Sequence, residues 1–193
     1  MRWTIFIIFA FIMLALDGGF MGVFTLPAVA GIGPNIVICL LVYICMFATR
    51  LAAMFAALTL GVMMDLMHPL SQGDVAPSVY VIGPHALGYV FAGLLLLQLR
   101  TMVFRQRAIT IGALSFAATF AAGLVIIMVF VIRSWYGEPT EYFMHGSPAR
   151  ELMRQLGIGV YTALLGVPLG WVLLLTTPLW GFQPGHHRRA LWR

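Results

Sequence analysis

Between Ile36 and Met67 the chain carries no charge except Arg50 and Asp65. As one helix rising ~1.5 Å per residue this stretch would reach ~48 Å, well beyond the ~30 Å hydrocarbon thickness of a bilayer. The division falls at Arg50, in "FATRLAA", where a charge stranded in mid-bilayer would be costly. Two helices joined by a tight turn at Arg50 satisfy both constraints, although neither Gly nor Pro marks the turn.

The rest of the chain repeats the pattern. It is 62% hydrophobic and only 9% charged, with a mean hydropathy of +0.99. Soluble domains are about a quarter charged. A water-soluble fold of this size has no interior large enough for so much apolar surface. The reading is an all-α, polytopic six-transmembrane-helix bundle forming one integral membrane domain over 1–193. Its expected spans are 3–26, 36–49, 51–67, 80–99, 108–132 and 158–182. The first stretch starts with Arg2 and ends near an Ala28/Ala30 pattern that resembles a cleavage site. It is much longer than a ~7–15 residue signal-peptide core and contains Asp17, so it reads as a retained span. Pro168 should kink the sixth span.

All 11 basic residues are arginines, and the pI is about 9.8. They are not interleaved with stacking aromatics, which argues against nucleic acid as a partner. Instead they separate apolar runs. With the N-terminus inside, Arg2, Arg50, Arg100, Arg105, Arg107, Arg188, Arg189 and Arg193 fall on the cytoplasmic side with no acid among them. The opposite side mixes Arg133, Arg150 and Arg154 with Asp74, Glu138, Glu141 and Glu151. This asymmetry puts both termini in the cytoplasm. Trp135 and Tyr136 at the outer boundary, and Trp180 at the inner one, fit aromatic belts. In the long outer loop, Ser147 and Pro148 open an amphipathic segment, read as an interfacial helix leading into the sixth span. Small residues four apart, at Gly18/Gly22, Ala53/Ala57, Ala117/Ala121 and Gly166/Gly170, allow close helix approach. They serve either internal packing or docking of another protein's span. Cys39 and Cys45, on one expected helix, read as small buried hydrophobes.

The acids inside spans are the chemically informative residues. Asp17 lies fourteen residues after Trp3 and Asp65 fourteen after Leu51, so both sit ~21 Å along their helices, in the outer half. A carboxylate at the centre of a span costs ~2.5–3.5 kcal/mol. His68, one turn from Asp65, and His85, at the start of the fourth span, are the groups that can offset it. Gly18 and Gly19 can interrupt the first helix and free backbone N–H groups for Asp17. Asp17, Asp65, His68, Asp74 and His85 are therefore expected to converge on one outward-facing pocket. Three roles stay open: hydrogen bonds that fix helix ends, a partner- or ligand-binding pocket, and a metal site or catalytic acid pair. Zinc spacing of the H-E-x-x-H kind and a G-x-S-x-G nucleophile are absent from the sequence, and it implies no cofactor.

From Pro34 to Arg107 the sequence resembles MreD, the rod shape-determining membrane protein family of bacteria. The resemblance is carried by Pro34 and Asn35 at the start of the second span, Arg50 at the basic turn, and Gly61 and Asp65 in a G-x-x-x-D. Gly83, His85, Ala86 and Leu87 carry it at the start of the fourth span. Asn35 stands where many members have Asp, and "GDVAP" lengthens the loop before the fourth span. The resemblance implies a non-enzymatic scaffold of the cell-wall elongation complex in the bacterial inner membrane, binding MreC and helping to maintain cell shape. It further implies neighbours in the MreB filament, the glycosyltransferase RodA and the elongation transpeptidase. The implied fold is similar to the substrate-binding component of energy-coupling-factor transporters. Under this reading Arg50, Arg100, Arg105 and Arg107 form a cytoplasmic basic surface, facing the filament or anionic lipid or simply setting topology. Two alternatives stand beside it. One is a transporter-type substrate-binding component, with Tyr80, Trp135, Tyr136 and Tyr142 near its pocket. The other is an intramembrane enzyme using Asp17 and Asp65.

Overall fold

The computed structural model describes residues 1–24, 32–67, 82–102, 107–136 and 148–182. Among these the chain is all-helical. It forms α1 (Trp3–Phe24), α2 (Ile36–Phe47), α3 (Arg50–Met67), α4 (Pro84–Leu99), α5 (Ala108–Ser134) and α6 (Pro148–Leu175), with a short 3₁₀ helix at Thr177–Trp180. Three stretches, Arg50–Met67, Ala108–Arg133 and Ala149–Leu175, are long and apolar enough to cross a membrane. Trp3–Gly19, Ile36–Phe47 and Pro84–Leu99 are shorter apolar helices. The outward faces carry Ile8, Phe11, Phe91, Met128, Leu164 and Trp171, a surface suited to lipid rather than water.

The architecture is organised around α2. Its twelve residues hold no charge, and Ile36 through Met46 are all buried. It packs against α1, α3, α4, α5 and α6. A helix apolar on every side belongs in the middle of a bundle. At ~1.5 Å per residue it is only ~18 Å long, so both of its ends lie within protein and need partners there.

At its C-terminal end the partner is Arg100, which follows α4. The guanidinium Nη1 donates to the carbonyls of Ala48 (3.0 Å) and Cys45 (3.4 Å). Ala48 is extended (ψ 167°), and α3 starts two residues later at Arg50. The expected division of the apolar run is present, with Arg50 as the first helical residue rather than the apex of the turn. The same end is closed by aromatic rings. Trp180, fully buried, packs against Phe9, Tyr43 and Phe182 at centroid distances of 5.0, 5.2 and 5.7 Å. Its indole nitrogen donates to Thr176 Oγ1 at 3.0 Å. The Trp180 carbonyl accepts from the Arg2 backbone N–H, tying the start of α1 to the end of the Thr177–Trp180 helix.

Several expectations need correction. The amphipathic segment and the sixth span are one continuous helix, Pro148–Leu175, which runs on through Pro168. It stops seven residues short of 182, at Thr176, Thr177 and Pro178. Pro178 disfavours helical backbone in the residue before it. The two threonine hydroxyls donate to the carbonyls of Leu173 and Leu174, consuming them locally. Trp180 is not a belt residue, because it is the centre of the aromatic cluster; Trp135 and Tyr136 are exposed as a belt requires. Of the small-residue pairs, Ala53/Ala57 and Gly166/Gly170 lie inside the bundle. Gly18 faces outward with nothing near it, and Ala117 is exposed beside buried Ala121.

Candidate functional site

The end of the bundle opposite the aromatic cluster is built by two aspartates that cap the starts of other helices. Gly61 and Asp65 lie one turn apart on α3. A side chain at Gly61 would bring a Cβ within 2.5 Å of Ala86 Cα and 2.8 Å of the His85 carbonyl, so the first turn of α4 rests directly on the glycine. This approach sets the α4 N-terminus under the Asp65 carboxylate. Oδ2 accepts from the backbone N–H of Gly83 (2.8 Å) and Ala86 (3.2 Å). Oδ1 accepts from the His85 backbone N–H (3.0 Å) and is 2.8 Å from His85 Nδ1. An acceptor at that position places the ring hydrogen on Nδ1. Gly83 holds φ +136°, a conformation that strains any residue with a side chain, and Pro84 follows at the first helical position. A carboxylate of 2% exposure thus exchanges hydration for four hydrogen bonds at the positive end of a helix dipole.

Asp17 does the corresponding work for α2. Its Oδ1 accepts from the Ile36 N–H at 2.9 Å, and it too is 2% exposed. Asn35 completes that helix start. Its side-chain oxygen accepts from the Ile38 N–H (3.2 Å) and from the Tyr89 hydroxyl of α4 (3.0 Å). Its backbone N–H donates to Thr162 Oγ1 of α6 (2.9 Å). One asparagine therefore joins α2, α4 and α6.

Between these helix starts and α5 and α6 lies a cavity of about 160 Å³. Asn35, His85, Tyr89, Thr119, Arg154 and Gln155 supply its polar lining, with Ile38, Met64 and Ile126 among the apolar residues. Gln155 can lean in because Gly123 has no side chain; a Cβ there would lie 2.7 Å from its Oε1. Two polar atoms of this lining, Thr119 Oγ1 and Arg154 Nε, are buried and have no hydrogen-bond partner among the described residues. Thr119 is 3% exposed. Elsewhere on the guanidinium, Arg154 Nη1 forms a loose ion pair with Glu151 at 3.7 Å, and the Arg154 side chain is about a third exposed.

Of the residues expected to converge, Asp65 and His85 are in contact, whereas Asp17 serves a different helix start. His68, Asp74, Tyr80 and Tyr142 lie outside the described residues. Among the arginines expected as a basic surface, Arg50 and Arg107 are exposed and Arg105 is outside the described residues. Arg100 is committed to the α2 carbonyls.

Asn35, Tyr89, Thr119, Thr162, Arg154 and Gln155 were not expected at the site. A signal existed for part of it. Ile32-Gly33-Pro34-Asn35 at the start of α2 is echoed by Ile82-Gly83-Pro84-His85 at the start of α4. The capping aspartates precede the residues they hold by a similar stretch, 19 from Asp17 to Ile36 and 18 from Asp65 to Gly83. Comparison with family models, with curated proteins and with solved structures finds no match to this chain.

Proposed function

We propose that this chain is a non-enzymatic scaffold of the MreD type, a six-span protein of the bacterial inner membrane with both termini in the cytoplasm. In this reading it binds MreC within the cell-wall elongation complex and helps to maintain cell shape. The observation that carries the reading is the α3–α4 joint. Gly61, Asp65, Gly83, His85 and Ala86, five of the positions that carry the resemblance, all meet there. A motif spread over two helices that closes on itself is what a shared fold requires. Six α-helices among the described residues support a fold like that of energy-coupling-factor substrate-binding components. The engagement of Asp17 and Asp65 with backbone N–H groups favours a structural role over acid catalysis.

Co-purification in mild detergent with co-expressed MreC tests the proposal, with an Asp65→Ala variant alongside. A stoichiometric complex with the wild type supports it, and loss of the complex in a variant that still folds puts the contact near the α3–α4 joint. MreC recovered only in the flow-through overturns it. The cavity favours a second reading, a transporter-type substrate-binding component. That reading requires a small molecule retained through purification and identified by mass spectrometry.

A further inference from the structure

The cavity between the starts of α2 and α4 and the flanks of α5 and α6 has more donors than its own acceptors use. Thr119 and Arg154 each contribute a buried polar atom without a partner among the described residues. The Asn35 side-chain oxygen is already taken by Ile38 and Tyr89, so its amide nitrogen remains as a further donor toward the cavity. The Asp17 and Asp65 carboxylates are directed to the backbone N–H groups at the α2 and α4 starts, so the donors left for the cavity are side-chain ones. A buried donor without an acceptor is destabilising until a ligand or water supplies one. A volume of about 160 Å³ is roughly that of five waters, room for a small polyatomic group.

We propose that this cavity binds an oxyanion group, a phosphate or carboxylate, held by the Thr119 hydroxyl and the Arg154 guanidinium with Gln155 and Asn35 beside them. Two sources supply that chemistry, a free small anion and the headgroup of an anionic lipid reaching in from the bundle's end. The site is independent of the scaffold reading, since it rests on donors and volume and not on any partner.

The test is thermal unfolding of the purified full-length protein. In neutral detergent it is titrated with inorganic phosphate or with acetate, against sodium chloride of equal ionic strength. In parallel the protein is reconstituted in phosphatidylcholine vesicles with and without phosphatidylglycerol. The expected result is a saturable rise in Tm with one of the free anions or with phosphatidylglycerol, absent with chloride. Thr119→Val and Arg154→Gln should each weaken that response about tenfold or more, the worth of a charge-assisted or buried hydrogen bond. Thr119→Ser, which keeps the hydroxyl, should retain it. A response to phosphatidylglycerol alone assigns the group to a lipid, and a response to a free anion assigns it to a solute. If no anion shifts the wild-type Tm, the cavity holds only water and the proposal fails. It fails equally if the shift survives both Thr119→Val and Arg154→Gln. A fold-only role for Thr119 predicts the reverse pattern, a Thr119→Val protein of equal or greater stability with an unchanged anion response.

Discussion

At one end of the bundle Asp17 and Asp65 accept the first N–H groups of α2 and α4; at the other, Trp180 is wrapped by Phe9, Tyr43 and Phe182. The polar end depends on direction, because each hydrogen bond fixes where a helix starts and how it is turned. The aromatic end depends on volume, because rings fill space and tolerate small shifts. A molecule with one rigid, hydrogen-bonded end and one packed end can hold a defined cavity at the first while the second closes the chain. Chain reversals at the polar end are fixed by single atoms, and those are the positions where substitution should be least forgiving in kind.

Unfolding in mixed micelles by increasing denaturing detergent puts numbers on this contrast. Trp180→Ala removes the largest buried side chain and should cost about 3–5 kcal/mol, while Trp180→Phe recovers most of it. Equal losses for the two variants would mean that the indole hydrogen bond to Thr176, and not volume, holds that end. Asp65→Ala leaves the α4 start without its acceptor and should cost about 3 kcal/mol. Asp65→Asn should restore only part of that, because an amide offers one acceptor oxygen for a site using two. Full restoration would show that charge matters little at the cap. Gly61→Ala sets a methyl group against the α4 backbone and should cost about 1–3 kcal/mol. Gly18→Ala, on an open face of α1, should be neutral or slightly stabilising in the same assay. Arg100→Gln, which weakens the cap on the far end of α2, should cost about 1 kcal/mol, the smallest loss among the destabilising changes.

The helices themselves were largely legible, since length limits and charge placement fix where apolar runs must break. The α2–α3 division follows from length and the charge of Arg50 although no breaker residue marks it; the group that stabilises it, Arg100, lies two helices away. The end of α6 was misjudged because hydropathy continues past Leu175, while the stop is made by threonine hydroxyls and a proline. Trp180 shows a second limit. An apolar residue facing lipid and one facing protein carry the same hydropathy, so its burial could not be read. At the site, the Asp65–His85 pairing was anticipated because both were conspicuous polar residues in apolar surroundings. Thr119 is a single hydroxyl on a long apolar helix, and Arg154 and Gln155 sit in an amphipathic turn that reads as surface. Nothing in their spacing announces that the fold turns them toward one space.

The complete enclosure of α2 bears on how the chain is made. While the protein is being inserted, α2 leaves the translocation machinery long before α5 and α6 exist to cover it. A twelve-residue apolar helix is shorter than the bilayer is thick, so the nascent segment must thin the surrounding lipid or ride partly at the interface until its neighbours arrive. Its N-terminal cap comes from Asp17, which is synthesised before it, but its C-terminal cap, Arg100, is not. The cap available first during synthesis is therefore the one at the polar end. A photo-crosslinker at Leu41 should capture lipid in chains halted after α3 and other helices of the same protein in finished ones.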